Sequence, residues 1–330
     1  MSTPHARTAV TIALVAIAMS ASLAHASLTV HHPADRAIIG GDGLLHVIAE
    51  ASADVTVHVN GVRAPSTRRA LAGGGAMVHA QLRLVPGATR ITIAVPGASI
   101  DRTVFFVSGL VRDQTPPPDF ERRPFHRRGA EGACSGCHET VPRAEDMQPP
   151  SPARSSCYSC HADLVRTTHV HGPAAQWACL RCHADGDGAV RYVTPEPVMP
   201  LCVSCHEEQK ERFYGERFQH GPTATGMCVL CHSPHGSGHA LLLRNAAWEL
   251  CTACHAEKGS GAHVMAGGAS GQSHPTKGKP DPLRTGQELS CASCHNPHAA
   301  PAPALWSFKA TLWLDLCRNC HGALAGEPAR

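Results

Sequence analysis

The chain has 330 residues, enough for two ordinary domains, and a formal charge of +3 that gives no footprint for nucleic acid. Aromatic residues make up only 4%, too few large side chains to fill a conventional core of that size. Sixteen cysteines are the outlying number, and they open three readings: disulfides, zinc ligands or covalent cofactor attachment.

Residues 1–26 read as an export signal. MSTPHAR is a charged start, TAVTIALVAIAMSASLA an apolar run, and Ala24-His25-Ala26 an A-x-A site, which predicts cleavage after Ala26. A retained anchor is the alternative, but Ser20 and Ser22 near the end of the run favour cleavage. No later segment approaches the roughly 20 apolar residues of a membrane span. The expectation is an exported protein, periplasmic or extracellular at the cell surface, with no membrane span after signal cleavage.

Residues 27–110 contain no cysteine and alternate with a period of two. In GLLHVIAEA, Leu45, Val47 and Ala49 alternate with His46 and Ile48. In DVTVHVNGV, Val55, Val57 and Val59 alternate with Thr56 and His58, and Asn60-Gly61 marks a tight turn. AQLRLVPG, TRITIAVPG and DRTVFFVSG follow at regular spacing. This predicts a small antiparallel β-sandwich domain. The VNG turn and the L-x-L-x-PG-x-T-x-I-x-I run resemble bacterial immunoglobulin-like modules over about 80 residues. His31, His32, His46, His58 and His79 fall here, and the last three are expected on the solvent side of their strands. Residues 111–125 form a Pro-rich, extended linker.

From 126 to 330 the cysteines take over. They form eight Cys-x-x-Cys pairs, each followed at once by histidine. In chain order the units are Cys134, Cys137 and His138; Cys157, Cys160 and His161; Cys179, Cys182 and His183; then Cys202, Cys205 and His206. The second four are Cys228, Cys231 and His232; Cys251, Cys254 and His255; Cys291, Cys294 and His295; then Cys317, Cys320 and His321. Zinc ribbons use Cys-x-x-Cys but have no need of a following histidine eight times, and a disulfide framework does not explain those histidines. Covalent haem c does. Two sulfurs form thioethers with the two haem vinyl groups, and the adjacent imidazole binds the iron as proximal ligand. Two propionates on each of eight haems would turn the charge balance negative.

First cysteines of successive units are 23, 22, 23, 26, 23, 40 and 26 residues apart, a repeat with one insertion before the seventh unit. So little chain per haem cannot enclose each one separately. The expectation is a mostly irregular and α domain of short helices with a core built by the haems. Trp177, Trp248, Trp306 and Trp313 would pack on porphyrin or in ordinary core.

Nine histidines outside the units are candidate distal ligands: His126, His169, His171, His220, His235, His239, His263, His274 and His298. His126, His171 and His220 each stand eight residues before the first cysteine of a unit. Extended chain covers about 3.3 Å per residue, so they can serve that haem or a neighbour. His235 is only three residues beyond His232, too near to reach around its own porphyrin, so as a ligand it serves another haem. The same holds for His298 beside His295.

CVLCHSPHG…LCTACH and CASCHNPHA…LCRNCH resemble the doubled motif of multihaem c-type cytochromes, and FHRR and FQHGP are similar to the Phe-x-His stretches of class III cytochromes c. The resemblance covers about 130–330 and implies closely stacked, mainly bis-histidine haems of low potential that relay electrons. It implies no catalytic residue. The partners it implies are other cytochromes, quinol-oxidising or outer-membrane complexes. The alternatives are a reductase or oxidase of nitrogen or sulfur oxyanions with one open haem, or a filament or other homo-oligomer in which ligands cross between copies.

Overall fold

The computed structural model describes residues 26–111, 114–135, 138–259 and 274–322. Residues 1–25 of the expected export signal, Cys137 and His263 therefore lie outside the described residues. The N-terminal part carries ten strands: β1 (Leu28–His32), β2 (Ala37–Ile39), β3 (Leu44–Ala51), β4 (Thr56–Val59), β5 (Val62–Ala64), β6 (Thr67–Ala70), β7 (Ala76–Arg83), β8 (Gly87–Val95), β9 (Ala98–Phe106) and β10 (Glu121–Arg122). They make two sheets, ordered β1-β3-β7-β6 and β10-β2-β9-β8-β4-β5. Pairing is antiparallel except at one edge, where β2 joins β9 and β10 joins β2 in parallel.

The period-two pattern decides what is buried. Leu45, Val47 and Ala49 of β3, Ala80 and Leu82 of β7, Ile91 and Ile93 of β8, and Val104 and Phe106 of β9 form one apolar cluster between the sheets. Each such Leu, Ile or Val contributes about 1.5–3 kcal/mol by leaving water. Asn60 (φ 48°) and Gly61 (φ 85°) join β4 to β5. Two successive left-handed residues match the right-handed twist of the flanking strands, which is why Asn-Gly is favoured there.

Beyond residue 125 the architecture changes to short helices and irregular chain. No described helix there exceeds eight residues, and the strands shrink to two residues each: β11 (His169–Val170), β12 (Phe218–Gln219), β13 (Gly236–Ser237) and β14 (Ala299–Ala300). β11 pairs with β13 and β12 with β14. The apolar cluster does not extend into this part. Among its described residues the buried apolar side chains are few and mostly small, such as Ala178, Ala299, Ala300 and Ala302. Such a frame is short of core unless large apolar groups lie inside it. Trp177 is buried with its ring edge-on to Tyr158, whereas Trp313 is 59% exposed. No described helix is long and apolar enough to cross a membrane.

The outward faces of β3 and β7 are not a solvent face, contrary to the expectation for His46 and His79. Their rings stack at 5.1 Å, and His46 Nδ1 lies 2.8 Å from His79 Nε2. The His161 ring stands edge-on to His46 at 4.9 Å, and Gln81 Nε2 donates to the Cys160 carbonyl at 3.0 Å. Nearby, Phe125 packs edge-on against His32. The polar stripe of the first sheet is thus covered by the second Cys-x-x-Cys-His unit. Burial, followed by the neighbouring His161 and His79, pushes the His46 pKa down to about 3.

Candidate haem-binding sites

Each Cys-x-x-Cys-His unit closes one helical turn. In all eight the histidine N–H donates to the carbonyl of the first cysteine, at 2.9–3.1 Å, from His138 to Cys134 through His321 to Cys317. Positions i, i+3 and i+4 share a helix face, so the turn presents both sulfurs and the imidazole on one side. Among the described residues no cysteine forms a disulfide.

Among the described residues a second histidine stands opposite His161, His183, His206, His232, His255 and His321. Ring centroids are 6.1 Å apart for His126 and His161, 6.2 Å for His171 and His206, and 5.9 Å for His183 and His235. They are 6.2 Å apart for His220 and His255, 6.0 Å for His232 and His298, and 6.2 Å for His274 and His321. An imidazole nitrogen binds a first-row metal at about 2.0 Å, so two rings on opposite faces of one iron stand about 6 Å apart by centroid. The frame holds that spacing six times. Four of the pairs are near-parallel, at 12–29°.

Second contacts leave Nε2 for a metal by engaging Nδ1. His183, His232 and His295 donate from Nδ1 to the carbonyls of Tyr192, Leu241 and Ala304, at 2.9, 2.9 and 2.7 Å. Each acceptor lies nine residues on. On the opposing side His171 uses the Pro234 carbonyl at 2.9 Å, and His126 uses the Glu131 carboxylate at 2.8 Å. Burial lowers the pKa of His161 and of His298 to about 4, and lowers those of His235 and His220, which favours the neutral ligand form.

The pairings repeat as a module. His171 N–H donates to the His235 carbonyl at 3.0 Å where β11 meets β13, and His220 N–H donates to the His298 carbonyl at 2.8 Å where β12 meets β14. Each two-strand ladder therefore carries one opposing histidine from either strand. Gly236 is needed for this close approach, because a Cβ there would meet Thr167 Oγ1 and come within 3.0 Å of the His169 carbonyl. The histidines eight residues ahead of a unit do not face that unit. His126, His171 and His220 face the proximal histidine one unit further on.

His169 and His239 are exposed, and among the described residues neither faces a proximal histidine. Sequence reasoning passed over His46, His79 and Gln81, whose alternation matched a solvent face. It also passed over a buried cluster in which Arg191 bonds Asp185 at 2.9 and 3.0 Å and Glu131 at 2.5 Å.

Sulfurs of successive units adjoin in a regular order. Cys157 and Cys179, Cys202 and Cys228, and Cys251 and Cys291, in each case first cysteine and first cysteine, stand close enough for one thiol to shift the pKa of the other. Between these contacts Cys182 is electrostatically coupled to Cys205, Cys231 to Cys254, and Cys294 to Cys320, second to second. These neighbour relations alternate from the second unit to the eighth without a skip.

A family model described as the doubled CXXCH motif matches residues 171–211, 220–260 and 281–326. The chain carries the motif of a multihaem c-type cytochrome. Paired motifs of this kind indicate covalently bound haem c, and the shared face of each Cys-x-x-Cys-His turn and the 6 Å histidine spacings fit that group. Haem c supplies one-electron chemistry at its iron. The first two matched stretches begin at His171 and His220, directly after β11 and β12. No curated protein matches the chain. Among solved structures, an FMN-binding β-glucuronidase from Facaelibacterium prausnitzii L2-6 is 17% identical, with a TM-score of 0.21, over 28% of this chain and 13% of that one. Titin M4 is 11% identical, with a TM-score of 0.17, over 24% of this chain and 92% of that one. Tandem immunoglobulin repeats of Dlar are 10% identical, with a TM-score of 0.18, over 25% and 47%. The chain thus spans a small part of the first of these.

Proposed function

We propose that this multihaem cytochrome relays electrons through eight covalent haems taken in sequence order. The observation that carries the reading is the alternating nearness of cysteines in successive units from the second to the eighth, since the cysteines mark the vinyl edge of each haem. Adjoining edges favour electron passage from one haem to the next. Opposed histidines on one iron leave substrates no place to bind there, so only electrons move. His126, His171, His220, His235, His274 and His298 serve as distal ligands to the second, fourth, sixth, third, eighth and fifth haems. The sandwich at 27–110 docks against the second unit through His46, His79 and Gln81. An exported location and redox proteins as partners follow from haem c attachment.

The test is a haem count combined with rapid reduction. Intact mass and pyridine haemochrome assays of the exported protein should give eight haems per chain. A one-electron donor should reduce all of them in a single connected process, and a soluble cytochrome should reoxidise them. Fewer than eight haems, or a fraction that stays oxidised, would overturn the reading.

A further inference from the structure

His126 is held differently at its Nδ1 from the other anchored histidines. In His171, His183, His232, His274 and His295 that nitrogen meets a backbone carbonyl, at 2.7–3.0 Å. In His126 it meets the Glu131 carboxylate at 2.8 Å. A carbonyl is a neutral acceptor, whereas a carboxylate carries a full charge, and hydrogen bonds to an ionised partner are roughly twice as strong. An imidazole that gives its Nδ1 proton to a carboxylate becomes a more basic ligand at Nε2.

The surrounding chain holds this carboxylate in place. Glu131 is buried, and its other oxygen accepts from the buried Arg191 at 2.5 Å. The Arg191 guanidinium also forks onto Asp185 at 2.9 and 3.0 Å and donates to the Thr140 carbonyl at 3.1 Å. Its backbone N–H donates to the His126 carbonyl at 2.9 Å, and Arg128 N–H donates to the Ala189 carbonyl at 3.0 Å. The loop that carries the guanidinium is thus pinned to the segment that carries the imidazole. Phe125 and Tyr192 stand edge-on to the His126 ring at 5.2 and 5.0 Å and fix its plane. Arg191 divides its charge between two carboxylates and a carbonyl, so it weakens the field of Glu131 without cancelling it. Of the charged groups in this cluster, Glu131 is the one bonded to the imidazole. Both effects of that bond work in one direction. A more electron-rich ligand favours ferric iron, and a nearby buried negative charge does too, because one added electron removes positive charge from the iron.

Resting on the reading of His126 as a ligand of the second haem, we propose that Glu131 is a positioning residue that lowers the reduction potential of that haem through His126. The full exported chain is the material for the test, read by spectroelectrochemical titration and electron paramagnetic resonance. Glu131→Gln keeps the size and an acceptor oxygen but removes the charge. One midpoint potential should rise by about 59 mV, about tenfold in the equilibrium for reducing that haem. The g values of one low-spin haem should change with it, and no new high-spin signal should appear. His126→Ala should turn one more haem high-spin, and adding Glu131→Gln to it should then move no low-spin component. Unmoved potentials in Glu131→Gln beside a high-spin His126→Ala would overturn the proposal alone. A potential that still moves in a low-spin haem of the double variant would overturn it too. A His126→Ala protein with no added high-spin haem would remove the ligand reading of His126 and the proposal with it. Should Glu131→Gln not mature, the unmodified protein supplies the reading: near-infrared magnetic circular dichroism should resolve one charge-transfer component set apart at higher energy, as an electron-rich imidazole gives. One band position common to all the bis-histidine haems would overturn the proposal.

Discussion

The His183 and His235 rings face each other at 5.9 Å, although one closes the third unit and the other lies just beyond the fifth. The pair joins two units that are not neighbours in sequence, and His171, whose ring faces the fourth unit's His206 at 6.2 Å, is hydrogen-bonded to the same loop. This borrowing makes single substitutions informative.

Replacing His235 with alanine should leave His183 without its opposing ring. One haem more than in the unmodified protein should turn high-spin, and added imidazole should restore it to low-spin. His239→Ala, four residues away and exposed, should leave the spectrum unchanged. Equal effects from the two variants would show that the facing geometry does not decide ligation.

Gly236→Ala tests the ladder rather than the ligand. The new methyl group meets Thr167 Oγ1 and the His169 backbone. Overpacking of this kind costs about 1–3 kcal/mol. The expected outcome is a lower thermal midpoint together with altered spectra of the third and fourth haems, read by magnetic circular dichroism. A change in stability without a spectral change would mean that β11 and β13 do not position the histidines.

Arg191→Ala removes the cation from a buried cluster with Asp185 and Glu131. Leaving a buried carboxylate unpaired costs about 3–5 kcal/mol. Glu131 also holds His126 Nδ1, so the second haem should change its spectrum as well. Differential scanning calorimetry should show a drop of the order of 10 °C. Arg191→Lys should recover only part of it, because a lysine cannot span both carboxylates as the guanidinium fork does.

Asp146 ties the first unit to the second and makes their packing sensitive to acid. Burial works against its charge, but N–H groups of Arg143 and Ser156 and the Ser156 hydroxyl all donate to the carboxylate and hold its pKa below the ordinary value of 3.8. A depressed carboxyl adds stability in full above its unfolded pKa and loses it as pH falls through the folded one. Asp146→Asn should therefore lower the thermal midpoint at neutral pH, and the difference from the unmodified protein should close below about pH 4. A gap that persists in acid would assign the loss to shape, not charge.

Much of the fold could be read from the residues, because it depends on local pattern. Alternation in GLLHVIAEA picks out the inward Leu45, Val47 and Ala49, and Asn60-Gly61 marks its hairpin. The attachment turns follow from spacing alone, since i, i+3 and i+4 share a helix face. What the sequence leaves open is non-local. A limit on reach shows that His235 cannot serve its own haem, yet only the β11–β13 ladder brings it to His183. The offset of eight before a unit was visible at His126, His171 and His220, while their facing partners one unit further on were not. His46 and His79 follow the alternation of a solvent face, and nothing local signals that a second domain covers it.

The ladders have a consequence for the order in which the molecule can be completed. A chain leaving the cytoplasm from its N-terminus presents His183 well before His235, and His232 well before His298. On the proposed pairing, the third haem therefore waits with one face unfilled until the fifth unit has emerged, and the fifth waits in turn for the seventh. The fourth and sixth have their opposing histidines, His171 and His220, already behind them. Export would thus leave a moving front of half-finished sites, every second one, closing only as later chain arrives. Arresting synthesis between residues 232 and 235 should trap the third site open while the fourth is already closed.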